Sequence, residues 1–375
     1  MVLFQTQELS DGDLSAIEEI DGLRRSIEQL LTPTPRWIRP LRQTTFARNI
    51  KASAGIDGHN VSFDDALAAA GDGVPHEATD VDFAAVRDCG DAMTYIATLA
   101  DDPDFAHSTD LIRSLHYMMM KRDERARPGR WRAGPVHVRT PQSEQSIYDG
   151  PPSSQIIELT NELVDSLNTP DPAVPAPIRA AMAHLNLVMI HPFTDGNGRI
   201  ARALHSLVLA RGSIIGPEFS SIEEHLGRDA AGYHETLAEV GEGTWNPAGD
   251  ARPWIEFVLA AHHRQATTVL RRMTDARHTW EVVSAAVESA GLDERMAYSV
   301  YLAASGRRVR RVDHIEFSDV SERVASSDLK RLVDEGLLEA VGEKRGRHYV
   351  VSSEVDNLRN AARIDRRRVT GPFLR

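Results

Sequence analysis

Twelve residues in the middle of the chain, 191–202 (His-Pro-Phe-Thr-Asp-Gly-Asn-Gly-Arg-Ile-Ala-Arg), leave little freedom in how their surroundings fold. Ahead of them, residues 180–190 are almost wholly apolar and helix-forming, and Pro192 disfavours helical geometry at His191, so the imidazole is expected at a helix end. Behind them, residues 199–210 read as a second helix. Gly196, Asn197 and Gly198 then make the turn before a helix N-terminus, where unpaired backbone N–H groups and the macrodipole favour an anion. Arg199 and Arg202 share a face of that helix's first turn. Cations there oppose the dipole, so their placement makes most sense with a multiply charged anion between them.

The chemistry follows from the side chains. His191 is the only group in the stretch whose ordinary pKa lets it accept a proton near pH 7. Asp195 is a hard oxygen ligand suited to Mg2+, an ion commonly shared between one carboxylate and substrate phosphates. The N–H groups of residues 196–198 can cradle a phosphate, and Arg199 and Arg202 can clamp its remaining oxygens. Together these parts fit nucleotidyl or phosphoryl transfer to a hydroxyl. Other readings fall away. The Gly-x-Gly-x-x-Ala spacing at 196–201 has no preceding strand and no βαβ unit, and neither a P-loop nor a His-Glu-x-x-His sequence occurs. His184 and His205 lie within the flanking helices and read as satisfied core histidines rather than metal ligands.

The stretch resembles the signature of the Fic family, His-Pro-Phe-x-Asp/Glu-Gly-Asn-Gly-Arg-x-x-Arg, with every fixed position met. The resemblance implies a mainly α fold, a helical bundle with a small β-hairpin flap. The implied activity is transfer of AMP from ATP to a Ser, Thr or Tyr hydroxyl of a protein. It casts His191 as the base, Asp195 as the Mg2+ ligand, and Gly196, Asn197 and Gly198 as the anion hole. Arg199 and Arg202 become contacts to the β- and γ-phosphates, and Tyr233 a border of the adenine. Arg130, Trp131, Arg132, Val136 and Val138 become a flap that holds a target segment by strand pairing. Upstream, Ser53-Ala54-Gly55-Ile56-Asp57-Gly58 is similar to the family's inhibitory helix, Ser/Thr-x-x-x-Glu-Gly/Asn. Here the acid is Asp57, whose carboxylate sits about 1.5 Å nearer the backbone than that of Glu. An ordinary helix C-cap also explains Asp57-Gly58; its place ahead of the core favours the inhibitory reading.

Net charge is −12 over 375 residues but unevenly spread: residues 306–375 hold 16 Lys and Arg against 12 Asp and Glu, a surplus of 4 cations that leaves −16 for the rest. Only that last part suits a polyanion. Its helical stretches, the helix at 321–335 and the hairpin around Glu343-Lys344-Arg345-Gly346-Arg347 predict a winged helix-turn-helix domain. Fic proteins often end in one, with a run like Asp-Leu-Lys-Arg-Leu-Val-x-x-Gly-Leu-Leu at 328–338. Lys344, Arg345 and Arg347 are its candidate DNA contacts, with a protein-contact or dimerisation role as the alternative.

The expected organisation is an N-terminal helical region at 1–107 with the inhibitory helix at about 41–58, and a catalytic core at 108–275 with the flap at about 129–139. A winged helix at 276–355 and a basic tail at 356–375 follow. One cysteine, Cys89, excludes an internal disulfide, and no apolar run reaches the length of a membrane span, so a cytoplasmic protein is expected. Two further functions stay open. One is a DNA-binding transcriptional regulator whose Fic domain senses nucleotide or modifies itself; the other is a relative that removes AMP or uses another donor. Self-association into a homodimer is also left open.

Overall fold

The computed structural model describes residues 3–71, 73–139, 146–212, 215–343 and 346–361. Helices α1 (Asp11–Leu31), α2 (Ile38–Ile56), α3 (Phe63–Ala69), α4 (Asp80–Ala100) and α5 (Thr109–Met120) precede a hairpin of β1 (His137–Arg139) and β2 (Ser146–Asp149). Then come α6 (Ile156–Asn168), α7 (Ala176–Ile190), α8 (Asn197–Arg211), α9 (Pro217–Ser220), α10 (Glu223–Arg228), α11 (Ala230–Gly241) and the long α12 (Arg252–Ser289). The C-terminal elements are α13 (Ala297–Ala304), α14 (Arg311–Ser318), α15 (Glu322–Asp334), β3 (Leu338–Val341), β4 (His348–Val351) and α16 (Ser353–Ala361). The chain divides into two compact units, one built from the described parts of Met1–Glu28 and Gln43–Thr267, the other from Gln29–Arg42 and the described residues from Thr268 onward. Within the first unit the N-terminal helices pack with those that follow: Ile50 of α2 and Ile96 of α4 are buried in the same apolar cluster as Leu204 of α8.

In the first unit α7 is the central element. Its side chains enter two apolar clusters: Leu187 and Ile190 lie with residues of α2, α4, α5, α6 and α8, while Leu185 and Met189 lie with Ile20, Tyr148 and Trp254. A helix apolar on every side has to be wrapped by others. The starts of α3, α4 and α5 are local in origin: the side chains of Ser62, Thr79 and Ser108 each accept a backbone N–H three residues on.

Three local features stand out. Residues 221–240 have the amphipathic pattern of a single helix but form two, α10 and α11. Asp229, which ends α10, caps α11 by accepting the Gly232 N–H at 3.3 Å. α12 runs unbroken to Ser289, since no Gly or Pro lies beyond its first turn. The expected strand at 129–139 begins only at His137, and its partner is β2, with Val138 opposite Tyr148. Arg132 accounts for that difference: its side chain is turned inward onto the backbone carbonyls of Gly134, Pro151, Ile190 and His191.

In the second unit α13, α14 and α15 pack around Leu302, Phe317, Leu329 and Leu332, all buried. β3 and β4 pair antiparallel, and Val309 bridges to Tyr349 as a third short antiparallel contact. A Ser299–His314–Asp328 relay lies inside, with His314 2.7 Å from Ser299 Oγ and 3.2 Å from Asp328 Oδ2. It has the order of a hydrolase triad, but Ser299 and His314 are 0% exposed, so no substrate reaches them. The relay is a structural network, closed by the Arg295 guanidinium on Asp328 at 2.8 Å. Of the expected DNA contacts, Arg347 is exposed, whereas Lys344, Arg345 and residues 362–375 of the basic tail lie outside the described residues.

Candidate nucleotide-binding active site

The site forms where α7 ends and α8 begins. His191 caps α7 in the left-handed conformation, φ 50° and ψ 57°, with its N–H donating to Leu187 O. Pro192 disfavours right-handed helix there, and the backbone ends α7 in the left-handed conformation instead. The His191 Nδ1 is 3.0 Å from Val188 O, and a carbonyl only accepts, so Nδ1 carries the hydrogen and Nε2 keeps its lone pair. Burial, with a smaller push from the Arg132 cation, takes the imidazole pKa down to about 4. At neutral pH this ring is a free base.

The turn that follows is tied by Asn197, whose Oδ1 accepts the Phe193 N–H at 2.9 Å and whose Nδ2 donates to Phe193 O at 3.0 Å. The Asn197 side chain thus serves the turn, and only its backbone is left to an anion. Gly196 sits at φ 77°, and a Cβ there would lie 2.8 Å from Met120 Sδ. Asp195 is exposed, and its Oδ1 accepts the Gly196 N–H at 2.6 Å. Its other oxygen remains available to a hard cation beside phosphate, so the residue fits the Mg2+ ligand expected of it.

Arg199 and Arg202 are 6% and 1% exposed. The Asp57 Oδ2 stands 2.5 Å from Arg202 Nη2 and 3.3 Å from Arg199 Nε. Ser53 adds its hydroxyl to Arg202 Nε at 3.0 Å and its carbonyl to Nη2 at 2.9 Å. Burial is the largest single influence on Arg202 and would lower its pKa, but the Asp57 carboxylate, joined by Tyr233 and Glu223, holds it above its ordinary value. Asp57 lies in the turn that ends α2, followed by Gly58 at φ 93°. The C-cap and the arginine partner are one and the same device: the cap turn presents the carboxylate. Arg202 Nη1 stays buried with no acceptor, and a Cβ on Gly198 would lie 3.1 Å from it. A buried guanidinium N–H with no acceptor, above a glycine at a helix N-terminus, is chemically a place for an anionic oxygen.

The other expected residues are placed as follows. Tyr233 is 1% exposed, its hydroxyl 3.0 Å from His184 Nε2 and its ring beside Trp254, and it lies close enough to Arg202 and Asp57 for both to act on it, so it backs the arginine from the core side. Its neighbour His234 is the exposed one, close enough for Arg202 and Asp57 to act on its pKa. Arg130 is exposed, and Val136 and Val138 are half-buried. Trp131 packs on Phe193 with ring centroids 4.8 Å apart. The far edge of β2 is already taken, with Asp149 N–H donating to Gly243 O and Asp149 O accepting from Trp245, which leaves β1 at the edge of the described sheet.

Two residues of the site escaped the sequence reading. His116, buried on α5, accepts the Gly129 N–H at Nδ1 (2.8 Å), so its Nε2 donates to Asp195 O (3.1 Å), and its ring stacks on Phe193 at 3.8 Å. Glu223, 2% exposed, is pushed by burial up to about 7 although Arg202 and Ser53 pull it down. Neither carries a local sequence signal, since their partners are distant along the chain.

Residues 106–209 match the Fic/DOC family. The chain is 29% identical over 185 residues to the protein adenylyltransferase Fic of Nematostella vectensis, covering 49% of this chain and 39% of that one. It is 33% identical over 163 residues to the protein adenylyltransferase fic-1 of Caenorhabditis elegans, covering 43% and 28%. It thus spans well under two thirds of these relatives. Among solved structures, a Fic family protein from Desulfovibrio desulfuricans superposes with a TM-score of 0.60 at 18% identity, over 93% of this chain and 99% of that one. That similarity is one of fold. The intact signature, set on this fold between α7 and α8, makes residues 106–209 a domain of the Fic/DOC family.

Proposed function

We propose that this chain is a protein adenylyltransferase that moves AMP from ATP to a Ser, Thr or Tyr hydroxyl of a protein and is held back by Asp57. One observation carries the reading: the unprotonated His191 base closes α7, and the first turns of α8 just after it hold two buried arginines, each with an N–H that makes no hydrogen bond. In the reaction the target hydroxyl oxygen attacks the α-phosphorus of ATP, its proton passes to His191 Nε2, and the P–O bond to pyrophosphate breaks. Arg199 and Arg202 hold the leaving phosphates, and the N–H groups of residues 196–198 face the phosphate oxygens. Asp195 would hold Mg2+, which supplies charge neutralisation for the phosphates. Names of relatives support AMP as the transferred group.

Asp57 takes the same guanidinium groups that the phosphates need, so ATP and this carboxylate compete. The test is AMP incorporation from labelled ATP by wild type, Asp57→Gly and His191→Ala, with intact mass as the readout. Asp57→Gly is expected to raise transfer and His191→Ala to abolish it while ATP binding persists. Equal rates in all three would overturn the reading.

We read the second unit as a winged helix. The order of α13, the Val309 bridge, α14, α15 and the β3–β4 hairpin supports this, and the exposed Arg347 suits a phosphate backbone. DNA is then its partner, and binding should weaken steeply with salt.

A further inference from the structure

Arg132 was expected on a target-binding flap, yet it is 5% exposed and reaches no surface. Its Nε donates to His191 O at 2.7 Å, its Nη1 to Gly134 O at 2.7 Å, and its Nη2 to Pro151 O at 2.5 Å and to Ile190 O at 3.5 Å. Its own backbone N–H donates to Pro192 O at 2.9 Å. The carbonyls of Ile190, His191 and Pro192, three successive residues around the left-handed turn, are therefore all held by this one residue.

That placement answers two physical problems at once. The last carbonyls of a helix have no intrahelical donor, and a cation there also complements the dipole. A left-handed non-glycine residue persists only where its surroundings over-determine it. Arg132 meets both needs, and it grips the residue whose Nδ1–H donates to Val188 O. If the peptide planes around His191 rotate, that ring hydrogen bond breaks and Nε2 no longer has a fixed direction or tautomer. The guanidinium also ties Gly134 and Pro151, on either side of the hairpin, to the same turn. At Gly150 a Cβ would lie 3.4 Å from Arg132 Nη2 and 3.7 Å from His191 Cβ, so the three are packed without slack.

We propose that Arg132 is a positioning residue for His191: it fixes the left-handed turn at the end of α7 so that the imidazole keeps its Nδ1–H tautomer and presents Nε2 to the attacking hydroxyl. The catalytic part of this rests on the reading of His191 as the base. Lysine is no substitute, because a point charge on a flexible stem cannot serve carbonyls in four directions.

The experiment uses the full chain, wild type and in the Asp57→Gly background, with Arg132→Gln and Arg132→Lys. Ring nitrogen NMR of labelled histidine, with the His191 signals assigned by their loss in His191→Ala, reads the tautomer without turnover. AMP transfer gives kcat and KM for ATP. The expected result is an Nδ1–H signature in wild type, mixed tautomers in both Arg132 variants, and kcat about 100-fold lower with KM for ATP within about twofold. Added guanidinium ion should recover part of the loss in Arg132→Gln. An unchanged His191 signature overturns the proposal, as does a fall in ATP binding that matches the fall in kcat. If neither variant folds, Arg132 is a structural anchor only and the proposal is wrong. Should His191→Ala transfer AMP at the wild-type rate, the base assignment fails by itself, and the ring signature still decides whether Arg132 sets the turn.

Discussion

The carboxylate of Asp57 lies 2.5 Å from the guanidinium of Arg202, an arginine that is 1% exposed. This ion pair is asymmetric, since Asp57 keeps 26% of its side-chain surface in water. Its loss strands the arginine far more than the acid.

Asp57→Asn keeps the shape and removes the charge. The nucleotide-free protein should lose about 1 kcal/mol, a charge-assisted hydrogen bond discounted for the exposed partner, and melt about 2–4 °C lower. ATP affinity should rise about tenfold, as a competitor worth about 1.4 kcal/mol is removed. Calorimetric melting with and without ATP checks both, and identical curves for the two proteins would exclude the competition.

The pH profile of kcat follows from the depressed pKa of His191. Burial takes it to about 4, so the ring stays unprotonated as pH falls from 7.5 to about 5, and its protonation removes activity only below that. Rate measurements at saturating ATP should show no loss centred on pH 6.5. A loss centred there would mean that the working base is an ordinary exposed histidine.

Stability to acid should be set by the buried histidines. Burial lowers the pKa of His205 to about 3 and those of His184 and His262 well below 6.5. The unfolded chain therefore binds more protons than the folded one below pH 6.5, and stability falls with pH by about 1 kcal/mol per histidine per unit until the folded value is reached. Glu223, raised to about 7, runs the other way and favours the folded state as pH falls from about 7 to 4.5. Burial also takes His191, His116 and His107 to about 4, so the histidines outnumber the one raised acid and net destabilisation is predicted between pH 6.5 and 5. Urea midpoints across that window test it, and His205→Gln should flatten the slope.

Asn197→Ala removes both side-chain bonds to the Phe193 backbone in a buried turn. Leaving that N–H and carbonyl unpaired costs about 2–4 kcal/mol. ATP binding should fall with it, because the same turn aims the N–H groups of residues 196–198. Asn197→Asp, which keeps the acceptor, should lie between in both equilibrium unfolding and ATP titration.

Much of the site was legible because its logic is local. Pro192 disfavours helix at His191, and the glycines at 196 and 198 lie where a Cβ would meet Met120 and Arg202. What was illegible depends on distant partners. Nothing near Arg132 says that its donors end on Ile190 and His191, so it was expected on the flap with Trp131 and Val136. Tyr233 looked like a ligand contact by motif alone, while its burial against His184 and Trp254 depends on the packing of α7, α11 and α12. Asp229 splits residues 221–240 by a cap that periodicity does not register.

His116 is a single neutral ring whose two nitrogens serve different segments, Gly129 at the root of the hairpin and Asp195 in the anion turn. Any replacement at this position is in effect a double mutation. Sequence drift in the hairpin and in the signature is therefore not independent. A graft that moves one of these segments into another scaffold without α5 transplants half of a joint.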